Sequence, residues 1–465
     1  MAPHALERHL VLVGFMGAGK TTLGREVAQR LGRPFVELDA QLGDVGAIFA
    51  GDGEAEFRRI EALALAGALD RREPAVIELG GGGVETDAVR DLLRDEFVVH
   101  VEVDLQTAWS RVRGSERPLA QDEAEFEQRY SLRGPLYADV AKAIAHDANG
   151  IVLAAAGVHV ETGAVELLGT LVPGDGPIAL VTEPVVAGIH GADVQLALGA
   201  RLAETHELPT GERAKTVTEV ERLLRALRIP RDGTIVAFGG GSLTDAAGFV
   251  ASTYLRGVRC SCTSTSLVGQ VDAAIGGKTA IDLPNAKNLV GSFHWPVRTV
   301  IDPGLLETLP AGERLNGMAE VVKTGLLAGE PLWELRDAEL VRRCAAFKTA
   351  VCLRDPHEAG PRAILNLGHT FAHALEAAAG YELPHGRAVA LGLLAALRLS
   401  GRSTDAVEEV LRPQRARVDP ERAWEALLRD KKGALNVVLL GDEGGFVTQL
   451  PEADVRAALL ELVER

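Results

Sequence analysis

The sequence predicts an α/β protein in three parts: an α/β domain over residues 1–148, a second over 149–304 and a mainly helical domain over 305–465. Three observations carry this. Apolar runs of strand length alternate with stretches of helical apolar spacing through the first two thirds of the chain. Glycine-rich turns join them, which is the rhythm of a parallel sheet. From about Leu305 the strand signal stops and helical periodicity takes over. A length of 465 residues also suits about three domains of roughly 150 residues each.

The elements follow in order. Leu10–Val13 is a short apolar strand that ends in GFMGAGKTT, and Leu23, Val27 and Leu31 give the next helix one apolar face. Further strands are expected at 34–38, 75–79 and 98–103, and Asn149-Gly150 is a turn signal where the first domain closes. A second α/β pattern starts at IVLAAAGV, with strands at 178–182, 234–238 and 258–262 and a helix at 217–229. Segments 315–329, 338–354, 365–380 and 388–400 read as helices, and 435–450 reads as a hairpin.

The formal net charge of −16 argues against general nucleic-acid or anionic-membrane binding, so an anionic substrate needs a local basic pocket. The four cysteines, Cys260, Cys262, Cys344 and Cys352, show no zinc-finger spacing, and Cys260 and Cys262 alternate along a strand as core residues. This is the cysteine usage of a reduced, cytoplasmic protein. Neither a signal peptide nor a membrane-spanning run is expected.

Gly14 to Thr21 fits G-x-x-x-x-G-K-[ST] between a strand and a helix. Glycines let consecutive N–H groups turn toward phosphate oxygens, and the helix N-terminus adds positive potential. Gly17, Ala18, Gly19, Lys20, Thr21 and Thr22 are the expected ATP-binding residues, with Lys20 on the β/γ-phosphates and Thr21 on Mg²⁺.

The first domain resembles shikimate kinases over almost its full length, through GFMGAGKTTLGREVAQRLGRPF, ELD (37–39), EAEFRRIE (54–61), LGGGGV (79–84), ERPL (116–119) and RGPLY (133–137). The resemblance implies that Asp39, Arg58, Gly81 and Arg133 hold shikimate. Asp39 would orient the attacking hydroxyl, and Arg58 and Arg133 would offer planar forks to the carboxylate. Arg117 stands where the family has a mobile lid arginine. Glu37 replaces the family's usual Asp near Mg²⁺.

A second centre is expected in the rest of the chain. GGGSLTD (239–245) follows a strand and opens a helix. Asn366, His369 and His373 are three and four residues apart and share one face if helical. With His385 and Glu320 they offer one carboxylate and two imidazoles, a familiar catalytic Zn²⁺ set, although spacing leaves open which two histidines bind. Lys278, Lys287, Lys323, Lys348, Arg362 and Lys432 lie in the same motifs. A basic cluster beside a metal implies an anionic substrate carrying phosphate and carboxylate.

Residues from about 150 to 440 resemble 3-dehydroquinate synthase, through GERAKT (211–216), residues 262–293, NGMAEVVKTG (316–325), residues 357–376 and LPHGRAVALG (383–392). The resemblance implies cyclisation of 3-deoxy-arabino-heptulosonate 7-phosphate with NAD⁺ and a divalent metal, usually Zn²⁺. It assigns Glu320, His369 and His385 as metal ligands and His373 as the histidine near the substrate phosphate. Asp272, Lys278, Asn288, Lys323, Lys348, Arg362 and Asn366 would contact substrate, with Lys287 and Glu358 in support. Glu212, Lys215, Gly240, Gly241, Asp245, Thr265 and Ser266 would line the NAD⁺ site. Glu183-Pro184-Val185 and Arg387 depart from the family's pattern. A homodimer through the synthase part is also implied. The whole chain then reads as an α/β P-loop kinase domain, an α/β NAD-binding domain and a helical metal-binding domain. The alternative is a cyclase for another sugar phosphate with a nucleotide-sensing, non-catalytic head. Intact Lys20, Thr21, Asp39 and Arg58 speak against a pure sensor.

Overall fold

A computed structural model describes residues 4–42, 53–115, 121–284, 286–431 and 435–464. The chain divides into two compact units, Met1–Val158 and His159–Arg465.

Unit 1 is built on a five-stranded parallel sheet in the order β2-β3-β1-β4-β5. The strands are β1 (Leu10–Val13), β2 (Phe35–Glu37), β3 (Val76–Glu78), β4 (Phe97–Val101) and β5 (Ala143–Ala145). All four residues of β1 are buried, as expected for a central strand covered on both faces. Helix α1 (Lys20–Leu31) buries Val27 and Leu31 and stops at Gly32, whose left-handed φ of 62° lets its N–H reach back to Ala28 and Gln29. Helices α2 (Gly53–Leu69), α3 (Glu123–Val140) and α4 (Ala148–Ala155) are among the others of the unit. Helix α4 corrects the reading of IVLAAAGV as the start of the next α/β pattern. Asp147 caps it by accepting from Gly150 N at 2.7 Å, and its apolar residues pack within unit 1. The structure therefore divides at 158 rather than 148.

Unit 2 has a six-stranded sheet in the order β6-β13-β10-β9-β7-β8. These are β6 (Val158–Val160), β7 (Ile178–Thr182), β8 (Leu202–Glu207), β9 (Thr234–Gly239), β10 (Arg259–Ser264) and β13 (Arg298–Ile301). The pairs from β13 to β8 are parallel, and β7 and β9 are buried along their whole length. Helix α5 (Gly241–Thr253) leaves the end of β9. An antiparallel hairpin of β11 (Lys278–Leu283) and β12 (Ala286–Phe293), absent from the sequence reading, projects the segment that carries Lys278, Lys287 and Asn288.

The rest of the unit is mainly helical: α6 (Ala311–Ala328), α7 (Asp337–Arg354), α8 (His369–Ala378) and α9 (His385–Leu399). Phe371, Leu375, Leu391, Leu393 and Leu397 lie in its core. The expected hairpin forms as β14 (Asn436–Gly441) and β15 (Gly444–Gln449), with Val438 opposite Val447. Asn366 is not on one helix with His369 and His373. It ends a 3₁₀ turn, and Gly368, at φ 79°, separates that turn from α8. Helix α9 crosses the start of α8 at backbone contact, since a Cβ on Gly392 would lie 2.1 Å from the Gly368 carbonyl oxygen. Among the described residues, no helix is long and apolar enough to cross a membrane.

Candidate active sites

In unit 1 the loop after β1 wraps the carboxyl edge of the sheet, where parallel folds bind ligands. Gly17 and Gly19 have φ of 83° and 85°, and a Cβ on Gly17 would meet the Ala108 carbonyl at 2.7 Å. Gly19 caps α1, and Ala18 lies buried between the two glycines. Lys20 is buried and donates to the Gly14 carbonyl at 3.0 Å. The Thr21 hydroxyl donates to Glu78 Oε1 at 3.0 Å, while Thr22 is exposed on the first turn. Arg111 donates to the Gly17 carbonyl at 2.9 Å.

The glycine run 80–83 gives clearance to the acceptor side. A Cβ on Gly80 would lie 2.5 Å from Asp39 Oδ1, and one on Gly82 would lie 2.6 Å from an Arg58 terminal nitrogen. The Gly81 carbonyl accepts from the Tyr137 hydroxyl. Arg58 donates to Glu61 and to Glu85, both at 2.9 Å, and buried Arg133 donates to Glu85 at 3.0 Å. Two guanidinium groups thus converge on one carboxylate position. Burial raises the Glu61 pKa, opposed by Arg58. Glu37 pairs with Arg25 at 2.7 Å. Arg117 lies outside the described residues. The sequence reading missed Glu61, Glu78, Glu85 and Arg111. Only Glu61 carried a signal, being three residues beyond Arg58 on a helix.

In unit 2 the Gly240 N–H at the start of α5 donates to Glu183 Oε1 at 2.9 Å. Lys215, almost fully buried, donates to Asp245 at 2.9 Å and also to Asn288. Ser242, next to Gly241, donates to Glu212 at 3.0 Å. Asn288, expected among the substrate contacts, therefore stands with Lys215 and Asp245. Thr265 is buried just beyond β10, and the Ser266 hydroxyl accepts from Gly269 N at 3.3 Å. Asp282, not foreseen, accepts from Asn288 N at 2.8 Å. Burial and a hydrogen bond shared with Glu212 push its pKa up to about 6.

Glu320 from α6, His369 at the start of α8 and His385 at the start of α9 come together, with ligand atoms within 4.8 Å of one another. Glu320 Oε1 lies 3.1 Å from His385 Nε2 and 3.5 Å from His369 Nε2. These separations bracket the edge of about 3.3 Å of a tetrahedron whose ligands sit about 2.0–2.1 Å from its centre. The far side of each ring is also held. His369 Nδ1 is 3.2 Å from the Leu367 carbonyl and His385 Nδ1 is 3.4 Å from Glu376 Oε1. Carbonyl and carboxylate partners of this kind fix ligand tautomers in metal sites. The donor set therefore fits a divalent cation. Burial lowers the His369 pKa to about 4, which keeps the ring neutral and able to ligate. Burial works against protonation of His385, but Glu320 and Glu376 outweigh it and raise its pKa to about 9. The His373 ring packs edge-on against His369, with centroids 5.5 Å apart.

Cations surround this cluster. Lys323 pairs with Glu320 and, at 3.2 Å, with Asp272, which also takes Lys348. Lys278 reaches Glu358 at 2.5 Å, and Asn366 donates to the same carboxylate at 3.3 Å. Buried Arg362 donates to the Gly276 carbonyl at 2.9 Å, beside Lys278. Lys287 lies 3.9 Å from Glu376. Arg387 turns instead toward the carbonyls of Gln414 and Arg415. Lys432 lies outside the described residues.

Comparison with known proteins matches residues 16–157 to shikimate kinase, 205–316 to the 3-dehydroquinate synthase N-terminal domain and 317–433 to its C-terminal domain. The 3-dehydroquinate synthase of Bordetella pertussis is 39% identical over 340 residues, 65% of this chain and 95% of that protein. A bifunctional shikimate kinase/3-dehydroquinate synthase of Thermotoga maritima is 31% identical over 472 residues, 91% of this chain and 93% of that one. Among solved structures, ValA, a 2-epi-5-epi-valiolone synthase from Streptomyces hygroscopicus with NAD⁺ and Zn²⁺ bound, has a TM-score of 0.57 at 27% identity and covers 66% of this chain and 96% of that one. A 2-deoxy-scyllo-inosose synthase shares the fold at TM-score 0.59 and 24% identity, over 66% of this chain and 96% of that one. Fold and sites define a P-loop phosphotransferase joined to an α/β synthase with a helical metal-binding layer. The chain belongs to the bifunctional shikimate kinase/3-dehydroquinate synthase family and carries both activities.

Proposed function

We propose that the two centres divide the work as follows. In unit 1 the loop amides and Lys20 cradle the ATP phosphates. Thr21 serves the Mg²⁺ ion, which when bound neutralises charge on the transferred phosphoryl group. Arg58 and Arg133 bind the shikimate carboxylate, Glu61 holds the Arg58 guanidinium, and Glu85 occupies the fork until substrate displaces it. Asp39 accepts from ring hydroxyls and orients the attacking one. Gly81 lets the ring approach the loop. Such a site works by positioning and charge stabilisation.

In unit 2 Glu320, His369 and His385 hold Zn²⁺ or another divalent cation. Together with NAD⁺ that ion supplies polarisation of the substrate oxygen and a reversible hydride acceptor. Glu212, Lys215, Asp245, Thr265, Ser266 and the Gly240-Gly241 turn bind the dinucleotide. Lys278, Lys323, Lys348, Arg362 and Asn366 bind the phosphate and carboxylate of the heptulosonate, and Asp272 holds Lys323 and Lys348 apart. Asn288 and Lys287 contact substrate from the hairpin, and His373 stands by the phosphate that leaves.

The observation that carries this reading is the convergence of Glu320, His369 and His385 among buried lysines. We further propose a cytoplasmic homodimer joined through unit 2. The test gives the full chain heptulosonate phosphate, sedoheptulose 7-phosphate, or shikimate with ATP. Phosphate release from the first alone and phosphorylation of shikimate are expected. Turnover of sedoheptulose 7-phosphate alone would move unit 2 to another cyclase chemistry. ATP binding without phosphoryl transfer would make unit 1 a sensor.

A further inference from the structure

The carboxylate of Glu78 is more than nine-tenths buried at the end of β3, beside the strand that feeds the phosphate loop. Its register partner on β1 is Leu12, two residues before Gly14. Oε1 accepts the Thr21 hydroxyl at 3.0 Å. Oε2 is buried and has no hydrogen-bond partner among the described residues. A buried carboxylate oxygen left in this way is costly unless something else pairs with it. The other nearby candidate, Glu37, is already paired with Arg25 on a more exposed edge.

We propose that Glu78 is the positioning carboxylate of the kinase metal site. Oε1 draws the Thr21 proton away from the loop, which leaves the hydroxyl lone pairs facing the divalent cation that arrives with the nucleotide. Oε2 accepts from a water of that cation. Mg²⁺ keeps several waters and takes few direct carboxylates, so an outer-sphere acceptor suits it. In P-loop enzymes generally, a carboxylate at a strand end shares the cation with the loop Ser or Thr. Glu78 fills that topological place.

The proposal rests on the assignment of the loop as the ATP site. The experiment uses the full chain, native, Glu78→Gln and Glu78→Ala, with Mn²⁺ as probe. Mn²⁺ affinity is read by electron paramagnetic resonance at saturating ADP, and ADP affinity is read separately in chelator. Circular dichroism and thermal melting of the same preparations report folding, and Glu78→Gln preserves the shape if Glu78→Ala does not fold. Both variants are expected to lose about tenfold or more in Mn²⁺ affinity while metal-free ADP affinity holds. Unchanged Mn²⁺ affinity in Glu78→Gln overturns the proposal, as does a parallel loss of metal-free ADP binding, which would mean that Glu78 only shapes the loop. Failure of the native chain to bind ADP would instead overturn the ATP-site assignment.

Discussion

Glu85 grips Arg133 through two nitrogens, with Oε1 3.0 Å from Nε and Oε2 3.2 Å from a terminal nitrogen. The same Oε2 lies 2.9 Å from Arg58. A carboxylate of the protein thus occupies the fork where the substrate carboxylate is proposed to bind, and the two compete. Glu85→Ala is expected to lower the shikimate KM about three- to fivefold, the worth of a half-exposed ion pair, with kcat little changed. A raised KM would mean that Glu85 orients the arginines instead of masking them.

Glu376 holds His385 from behind and stands outside the candidate ligand group of Glu320, His369 and His385. Glu376→Ala is expected to weaken metal retention about 10- to 100-fold. Inactivation of the synthase by a chelator should quicken accordingly, with kinase turnover unaffected. Equal chelator sensitivity in the variant and the native chain would remove Glu376 from the metal site.

Two substitutions should separate the activities. His385→Ala should cut synthase kcat/KM by at least about a hundredfold and lower bound metal, while shikimate phosphorylation stays within a few-fold. Lys20→Ala should abolish phosphorylation and spare the synthase. Equal loss of both activities in either variant would show that one unit depends on the other for its fold.

Asp282 gives a pH-dependent stability. Its folded pKa is raised to about 6 by burial and by the hydrogen bond shared with Glu212. An acid raised in this way favours the folded state while protonated. That contribution is complete below the unfolded carboxylate pKa of about 3.9 and is lost as pH rises through the folded value. Asp282→Asn keeps an acceptor for Asn288 N and carries no charge. Its Tm advantage over the native chain should therefore grow from about pH 4 to about pH 7 and level off above that. A constant difference would show that Asp282 does not titrate there.

The phosphate loop was legible because every position is fixed by spacing and the loop is local. The metal cluster was half legible. Spacing named Glu320 and three histidines, but two of the rings converge through the helix starts at Gly368 and Pro384, which sequence periodicity does not reveal. Glu78 was hidden because its partner Thr21 is 57 residues away and a single Glu in an apolar run resembles any strand end. Helix α4 was misread because a short apolar run has no decisive period, and Asp147 settles it only as a cap. Hairpin β11–β12 escaped because its strands mix charged and small residues rather than alternating cleanly.

At Gly392 any added methyl would strike the Gly368 carbonyl at 2.1 Å. The distance between two imidazoles is therefore inherited from a residue that offers no donor atom. A damaging change there would cost the site its metal while every candidate ligand side chain stayed in the sequence, so a census of ligands alone would misjudge such a variant as competent.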